Sequence, residues 1–385
     1  MMDSYISTSL FLISCFSHGT VAHPHPLPEI GAHVSREIDS NDVYSNWPSY
    51  AQLPLDPSYP TKAAWGVWGA NDTQGALNHI TNATILAAGA EIQVGTAINL
   101  NLDLNEFVTP INTARKPLNH LFQPASGYTD DVVVLNTQVS TQFDGLRHLW
   151  KYVNVPVSHH YNYFVAPLTD NRWYNNLIDD FDQVIGPTPT TVLGIQQAAE
   201  KGIAGRGVLL DWVGWAESEG IVYDAFTGYG INSSDLDAVA TWQGLPLNWS
   251  EPGDILLIRT GYMQAYRNLT AYQQETMPWN PELGSVGMNA SDDSLAWLWE
   301  KKLALVGADN PAFESLPMDK TIGGVARSLH QVFIGGWGQS IMEFLDLETL
   351  AEELHRLNRS TFFLTIQNLN IQSGIASPPN AMAVL

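Results

Sequence analysis

An aspartate and a histidine four residues apart carry the clearest chemical signal in the chain. They are Asp144 and His148, in the run Thr-Gln-Phe-Asp-Gly-Leu-Arg-His at 141–148. Gly145 permits a sharp turn between them, which would expose both side chains at a strand end. There, Asp144 could bind a metal or orient His148, and His148 could act as a general acid or base because its ordinary pKa lies near neutrality. The alternative is a structural Asp–His hydrogen bond at a turn.

Two further groups of polar residues follow later in the chain. Asp309 comes just after the apolar run 303–306, where a strand would open into a loop. Such strand ends often carry ligands in α/β folds. His330 and Glu343 have Trp337 between them and could converge across a loop. A satisfied turn aspartate and a surface His–Glu pair are the alternatives.

The elements that must position these residues alternate between strands and helices. Runs rich in Val, Ile, Leu and Thr predict strands at 98–104, 132–141, 207–211, 254–259, 303–306 and 362–367. Helical periodicity predicts helices at 194–201, 235–243, 292–302 and 347–357. This alternation predicts an α/β class with mixed sheets and helices packed outside them.

Composition excludes several kinds of partner. The 385 residues include 39 acidic and 17 basic side chains, a formal net charge of −22. Phosphate contacts need clustered Lys and Arg, so a general nucleic-acid binder and a binder of anionic membranes are excluded. The hydrophobic share of 45% excludes a disordered chain, and the length suffices for a deep core.

The N-terminus has the layout of a secretory signal. An apolar stretch at 6–16 is followed by Thr20 and Ala22, small residues at the −3 and −1 positions of a cut after Ala22. About 11 apolar residues are too few to span a bilayer. We therefore predict a signal peptide at 1–22, an extended arm at 23–62, a domain at 63–385, and secretion without membrane attachment.

Cysteine usage and glycosylation motifs agree with secretion. Cys15, the only cysteine, lies in the predicted signal, so the mature chain has no cysteine nucleophile, thiolate metal site or disulfide. Several Asn-X-Ser/Thr motifs predict N-linked glycans, as is typical of a secreted eukaryotic glycoprotein. They start at Asn71, Asn82, Asn232, Asn248, Asn268, Asn289 and Asn358.

Five segments, taken in order, resemble the putative cyclase superfamily, which includes bacterial-type kynurenine formamidase and isatin hydrolase. They are 68–78 (Trp-Gly-Ala-Asn-Asp-Thr-Gln-Gly-Ala-Leu-Asn), 144–148, 207–211 (Gly-Val-Leu-Leu-Asp), 252–261 (Pro-Gly-Asp-Ile-Leu-Leu-Ile-Arg-Thr-Gly), and 307–314 with His330 and Glu343. The resemblance implies a swivelling β/β/α fold with mixed β-sheets and peripheral helices, a metal-dependent hydrolase ancestry, and homo-oligomers. The chain would be a divergent, secreted member of fungal type.

The motif that marks this superfamily, H-x-G-T-H-x-D-x-P-x-H, falls on residues 138–148 with substitutions. Its Asp and last His fall on Asp144 and His148, but its first two histidines fall on Gln138 and Gln142. In the superfamily those two histidines and the aspartate bind the metal, so two of three ligands are replaced. An amide oxygen is a poor ligand for zinc or manganese, so we predict no tightly bound transition metal and no other cofactor. Weak binding of Ca²⁺ or Mg²⁺ by Asp144, Gln142 and Gln138 is the alternative.

The residues that remain form a set for proton transfer on a small-molecule substrate. We predict as catalytic His148, Asp144, His330 and Glu343, and as substrate-binding Gln138, Gln142, Asp309 and Trp337. Such a set suits ring closure, dehydration, isomerisation or ring opening of a small organic molecule. The alternatives are a divalent-metal-dependent amide or lactone hydrolase of the kynurenine formamidase type and a non-catalytic ligand-binding glycoprotein.

Overall fold

The computed structural model describes residues 40–148, 172–186, 190–318, 321–322, 325–326 and 328–385. The predicted signal peptide at 1–22, and the predicted arm as far as residue 39, lie outside these ranges. The chain divides into a unit that ends at Trp47 and a compact unit from Pro48 to Leu385. In the first unit, the described residues contain helix α1 (Ser40–Ser45). Residues 48–62, predicted as part of the arm, belong to the second unit.

The second unit alternates short helices with short strands. Its α-helices are α2 (Asn82–Ala88), α3 (Asp182–Ile185), α4 (Gln196–Lys201), α5 (Trp212–Ser218), α6 (Ser233–Trp242), α7 (Tyr262–Arg267), α8 (Ala271–Thr276), α9 (Asp292–Glu300) and α10 (Glu348–Leu357). Short 3₁₀ turns occur at Tyr50–Gln52, Gly75–His79, Gly89–Glu91, Tyr174–Asn176 and Met277–Trp279, and a π-helix at Gln331–Trp337. In the described part of the chain, no helix combines the length and apolar character that crossing a membrane requires.

In the described part of the chain, the strands form one large mixed sheet and three small two-stranded ones. They are β1 (Ala97–Asn99), β2 (Asn119–Ala125), β3 (Tyr128–Val134), β4 (Gln142–Asp144), β5 (Ile203–Asp211), β6 (Gly230–Ile231), β7 (Ile255–Arg259), β8 (Gly287–Met288), β9 (Leu305–Ala308), β10 (Thr321–Ile322), β11 (Val325–Ala326), β12 (Ile341–Glu343), β13 (Thr361–Ile366), β14 (Ala376–Ser377) and β15 (Met382–Val384). Among the described residues, nine strands make up the large sheet, in the order β1-β15-β13-β5-β7-β9-β12-β4-β14.

Parallel strands occupy the centre of the large sheet, and antiparallel strands complete both sides. β5, β7, β9 and β12 run parallel, and all five residues of β7 are buried, as expected for a strand covered on both faces. Leu350 and Leu354 of α10 pack in the core with Leu257 and Phe362. The predicted α/β class, with a mixed sheet and peripheral helices, is confirmed.

Most predicted elements are confirmed, but the single strand predicted at 132–141 is wrong. β3 ends at Val134 and β4 begins only at Gln142. Between them, the side-chain oxygen of Asn136 accepts a hydrogen bond of 3.0 Å from the backbone N–H of Gln138. The carbonyl of Asn136 also accepts one from Val139 at 3.0 Å. Asparagine stabilises turns in this way, so it interrupts an otherwise apolar run.

β4 carries the Asp144–His148 segment to its place, and a close backbone approach sets how the chain leaves the strand. β4 lies between β12 and β14. The N–H of Gly145 donates to the carbonyl of Ile375 at 3.2 Å, and the N–H of His148 donates to the carbonyl of Gly145 at 2.9 Å. A Cβ atom on Gly145 would lie 2.7 Å from the Ile375 oxygen, a backbone atom that cannot rotate away. Gly145 is therefore required here by space.

Replacing Gly145 by alanine should lower the free energy of unfolding by about 1–3 kcal/mol, the usual cost of overpacking. Gly89→Ala is the matched control, because a Cβ on Gly89 would have no neighbour within 4 Å and the residue has a φ of −56°. We expect that control to change stability by less than about 0.5 kcal/mol. Equal stability of both variants in urea unfolding would contradict the steric role of Gly145.

Candidate active site

Two neighbouring strands bring three polar side chains to one face of the sheet. β4 and β12 are antiparallel, with Gln142 opposite Glu343 and Asp144 opposite Ile341. Gln142 and Asp144 are two residues apart on β4 and therefore point to the same face. The Nε2 atom of Gln142 donates a hydrogen bond to Oε2 of Glu343. Gln142, Asp144 and Glu343 are all buried.

A buried imidazole, His330, links two carboxylates. Its Nδ1 lies 3.0 Å from Oε1 of Glu314, and its Nε2 lies 2.7 Å from Oε1 of Glu343. The N–H of Leu329 donates to the other oxygen of Glu314 and holds that carboxylate in place. Burial opposes a charge on the ring, but the hydrogen bonds to Glu314 and Glu343 outweigh it and raise the pKa of His330 well above its ordinary value. His330 in this arrangement is a cation at neutral pH.

The pKa of Glu343 lies near neutrality. Burial and the neighbouring charge of Asp144 raise the pKa of Glu343 to about 7, although His330 acts in the opposite direction. Low polarity and a like charge both disfavour an ionised carboxylate. A carboxyl group that titrates near the working pH is suited to acid–base catalysis.

Asp144 has one paired and one unpaired oxygen. Oδ1 accepts a hydrogen bond of 2.7 Å from Nε2 of Gln138. Oδ2 is buried and has no hydrogen-bond partner among the described residues. It lies 3.4 Å from Nε2 of His148 and 3.9 Å from Nε2 of His330. An unpaired buried carboxylate oxygen is costly, so this position favours a ligand that binds to it.

His148 is the more accessible of the two histidines, with its side chain 25% exposed. Partial burial lowers the pKa of His148; Asp144 opposes this change, whereas Arg115 and His330 reinforce it. The ring is therefore neutral at pH 7 and has a lone pair on one nitrogen. Its Nε2 also lies 3.2 Å from Nε2 of Gln138. The group can therefore accept a proton from a molecule in contact with it.

The two glutamines at the ligand positions of the superfamily motif do not fit a metal. Nη1 of Arg115 donates to Oε1 of Gln142 at 2.8 Å and to the carbonyl of Gln138 at 2.7 Å. A guanidinium has no acceptor, so this bond turns the amide oxygen of Gln142 toward Arg115 and its nitrogen toward Glu343. Gln138 likewise directs an amide N–H to Asp144. Amide N–H groups are not metal ligands, so the set of Asp144, Gln142 and Gln138 does not fit an ion.

A different trio has the geometry to hold a single ion. One ligand atom from each of Asp144, His330 and Glu343 lies within 4.8 Å of the others. The unpaired Oδ2 of Asp144 is available as a donor atom. Glu314 on Nδ1 of His330 corresponds to the carboxylate that commonly orients a metal-bound histidine. An ion here would displace the proton that lies between His330 and Glu343, so proton and ion are alternative ways to neutralise the same carboxylates.

Asp144, His330 and Glu343 line a cavity of about 420 Å³. Besides the polar side chains, its walls are mainly apolar and include Ile111, Phe181, Val184, Phe344 and Ile375. The volume lies within the range of small-molecule sites. The structure therefore brings six of the predicted site residues to one cavity, namely Gln138, Gln142, Asp144, His148, His330 and Glu343.

Two predicted substrate-binding residues lie elsewhere. The carboxylate of Asp309 accepts hydrogen bonds from the N–H of Thr260 at 2.6 Å and from its hydroxyl at 2.7 Å. Trp337 packs on Trp299 and donates from Nε1 to the carbonyl of Lys62 at 2.9 Å. Neither residue is among the described ones that line the cavity. Their contacts support roles in holding the fold together.

The sequence did not single out three residues that shape the site. Glu314 is the last residue of the segment 307–314, in which only Asp309 was predicted as a site residue. Arg115 lies in the loop between β1 and β2 and belongs to no motif. Arg147 is buried, and its guanidinium ties three chain segments together near the cavity through the carbonyls of Gln183, Thr190 and Ser373, at 2.8, 2.9 and 2.9 Å.

Comparison with known proteins identifies the family of this chain. The sequence model of the family described as "Putative cyclase" matches residues 54–315, more than half of the chain, so the chain belongs to that family. The predicted family and cyclase-like fold are thereby confirmed. The match ends before His330 and Glu343, so their place in the site rests on the geometry. No curated protein matches the sequence at a significant level.

Solved structures include similar folds. The crystal structure of a novel cyclase is 28% identical to the chain, with a TM-score of 0.68, and covers 84% of this chain and 97% of that one. Isatin hydrolase A from Labrenzia aggregata, bound to benzyl benzoate, is 15% identical, with a TM-score of 0.47, over 78% and 96% of the two chains. A predicted metal-dependent hydrolase from Bacillus stearothermophilus is 13% identical, with a TM-score of 0.39, over 76% and 98%.

Replacing Glu314 by glutamine should lower the pKa of His330. The change removes one of two carboxylates that favour the charged ring but keeps the side-chain size and an oxygen acceptor for Leu329. NMR titration of ¹⁵N-labelled imidazoles in metal-free buffer should show His330 losing its proton at lower pH in the variant. His79 serves as a reference, because burial lowers its pKa to about 3. An unchanged His330 titration would contradict the role of Glu314.

Proposed function

We propose that this protein is an enzyme of the cyclase or hydrolase kind that closes or opens a ring, or removes water, in a small organic molecule by proton transfer. The observation that carries the proposal is the 2.7 Å contact between His330 and Glu343, beside Asp144, on the wall of an apolar cavity. Membership of the cyclase family supports the same class of activity. The cavity volume favours a substrate the size of a small metabolite.

Each ionisable group has a separate part in this proposal. His148 is neutral and partly accessible, so it removes a proton from a hydroxyl group or a water molecule. Asp144 lies 3.4 Å from Nε2 of His148 and stabilises the imidazolium that forms. Glu343, with its pKa raised to about 7, returns a proton to the leaving oxygen or nitrogen. Gln142 donates to Glu343 and orients that carboxyl group.

A divalent-metal-dependent amide or lactone hydrolase is the second candidate function. The trio of Asp144, His330 and Glu343 supports it, since one ligand atom of each lies within 4.8 Å of the others. A bound ion would supply Lewis acidity toward a carbonyl oxygen and make a bound water easier to ionise. His148 would remain the group that accepts a proton. This candidate replaces the weaker ligand set that includes the two glutamines.

Replacing His148 or Glu343 by glutamine should reduce turnover by about 10²- to 10⁴-fold, the usual contribution of a general acid or base. Hydrolysis of a panel of aryl lactones and aryl formamides is the assay. The control is His120→Gln, because His120 lies on the exposed strand β2 and pairs with Asp131. Full turnover in His148→Gln would refute the acid–base role.

Elemental analysis of the purified, active protein separates the two candidates. Activity without a stoichiometric metal, and insensitive to a chelator, favours proton transfer alone. Loss of activity with a chelator and its return with one divalent metal favours the second candidate. Tight binding of an aryl lactone without conversion would favour a third hypothesis, in which the protein is a non-catalytic ligand-binding glycoprotein.

We further propose that the protein is secreted and carries N-linked glycans. Asn71, Asn82, Asn232, Asn248, Asn268 and Asn358 are exposed, which supports access for the glycosylation machinery. Asn289 differs, because its side chain is half-buried and its Nδ2 donates to Oδ1 of Asn232 at 3.0 Å.

Expression of the full chain in a eukaryotic host should release glycosylated protein into the medium. Mass spectrometry of peptides, with and without removal of the glycans, should find modification at the exposed asparagines and lower occupancy at Asn289. Retention of the protein inside the cell would contradict secretion. Occupancy at Asn289 equal to that at Asn248 would contradict the effect of burial.

A further inference from the structure

Arg115 is a cation on the cavity wall that uses only one of its three nitrogen atoms as a hydrogen-bond donor to the described residues. Its Nη1 atom is anchored by Oε1 of Gln142 and the carbonyl of Gln138. Nε and Nη2 donate to no side chain or carbonyl in the described part of the chain. That free edge of the guanidinium is one of the geometries that accept a carboxylate through two parallel hydrogen bonds.

The positive charge of Arg115 also has no carboxylate partner in the part of the chain that the structure describes. No described carboxylate lies within ion-pair distance of its guanidinium, although the chain has far more acidic than basic residues. Of the other cations on the cavity wall, Arg147 donates to three backbone carbonyls, and His330 is enclosed by Glu314 and Glu343. Among the described residues, Arg115 therefore lacks the carboxylate partner that an arginine in a mainly apolar cavity normally has.

We propose that Arg115 binds the carboxylate of a small monocarboxylic acid whose remaining body is apolar. The inference rests on the proposed function and specifies its substrate or product class. Asp144 and Glu343 repel an anion placed beside them, so the carboxylate lies toward Arg115. The apolar body then packs against Ile111 and Phe344.

The chemistry of ring opening supplies such a group. Hydrolysis of a lactone or cyclic amide adds water, breaks the ring C–O or C–N bond, and leaves one carboxylate and one hydroxyl or amine. Ring closure consumes the same carboxylate and releases water. A guanidinium that holds the carboxylate would stabilise the open form and orient it against His148.

The test compares two probes of nearly the same shape, phenylacetate and phenylacetamide, by calorimetry at neutral pH and low ionic strength. The unmodified protein should bind phenylacetate about ten- to a hundredfold more tightly, as expected for hydrogen bonds to a charged group. Arg115→Gln should abolish that preference. Arg115→Lys should keep part of it, because it retains the charge without the planar fork.

Arg356→Gln is the matched control, since Arg356 is exposed on α10 and pairs with Glu353. It should leave the preference unchanged. Equal binding of both probes, binding of neither, or an undiminished preference in Arg115→Gln would overturn the proposal. If Arg115→Gln fails to fold, as judged by thermal unfolding, an undiminished preference in Arg115→Lys overturns it instead.

Because these measurements need no turnover, they separate this proposal from the one it rests on. Loss of turnover in His148→Gln with equal binding of both probes would leave the proton-transfer function standing and remove the carboxylate subsite. Full turnover in His148→Gln with a clear preference for phenylacetate would refute the proton-transfer function and leave the carboxylate subsite standing.

Discussion

Three carboxylates surround one imidazole in the interior of this protein, and the site depends on how their charge is neutralised. Asp144, Glu314 and Glu343 are each buried, and His330 contacts two of them at hydrogen-bond distance. Burying ionised groups costs several kcal/mol each unless opposite charges and hydrogen bonds compensate. The positive charge of His330 compensates part of this cost, and the raised pKa of Glu343 removes a further negative charge. Burial therefore also brings the pKa of Glu343 to a value at which this carboxyl group can gain or lose a proton near neutral pH.

The two glutamines change what holds these carboxylates in place. Gln138 and Gln142 direct amide N–H groups at Asp144 and Glu343, and Arg115 fixes the orientation of Gln142 from behind. Hydrogen bonds from neutral donors stabilise a carboxylate without adding charge. The negative charge of the carboxylates is then neutralised by His330, by a proton on Glu343, or by an ion bound to Asp144, His330 and Glu343. The substitutions thus shift the site from histidine ligands toward hydrogen bonding.

The sequence by itself determined the family, the α/β class and the local segments with chemical potential. Runs of β-branched and aliphatic residues marked β5 and β7, because central strands must be apolar on both faces. The same residue types marked β13, in which buried and half-buried residues alternate. The spacing of Asp144 and His148 was also enough to predict that the two residues lie close together, since one ends β4 and the other lies in the turn that follows. Such features depend on residues that are close together in the chain, so they can be predicted directly from the sequence.

Only the tertiary structure decided which distant residues meet. The register of β4 against β12 places Gln142 opposite Glu343, and the N-terminal end of the π-helix places His330 against Glu314. The same packing directs Asp309 to Thr260 and Trp337 to Trp299, away from the cavity, and brings Arg115 into it from a loop without a motif. Spacing along the chain does not specify these contacts, because they depend on sheet register and loop path, which the whole core sets together.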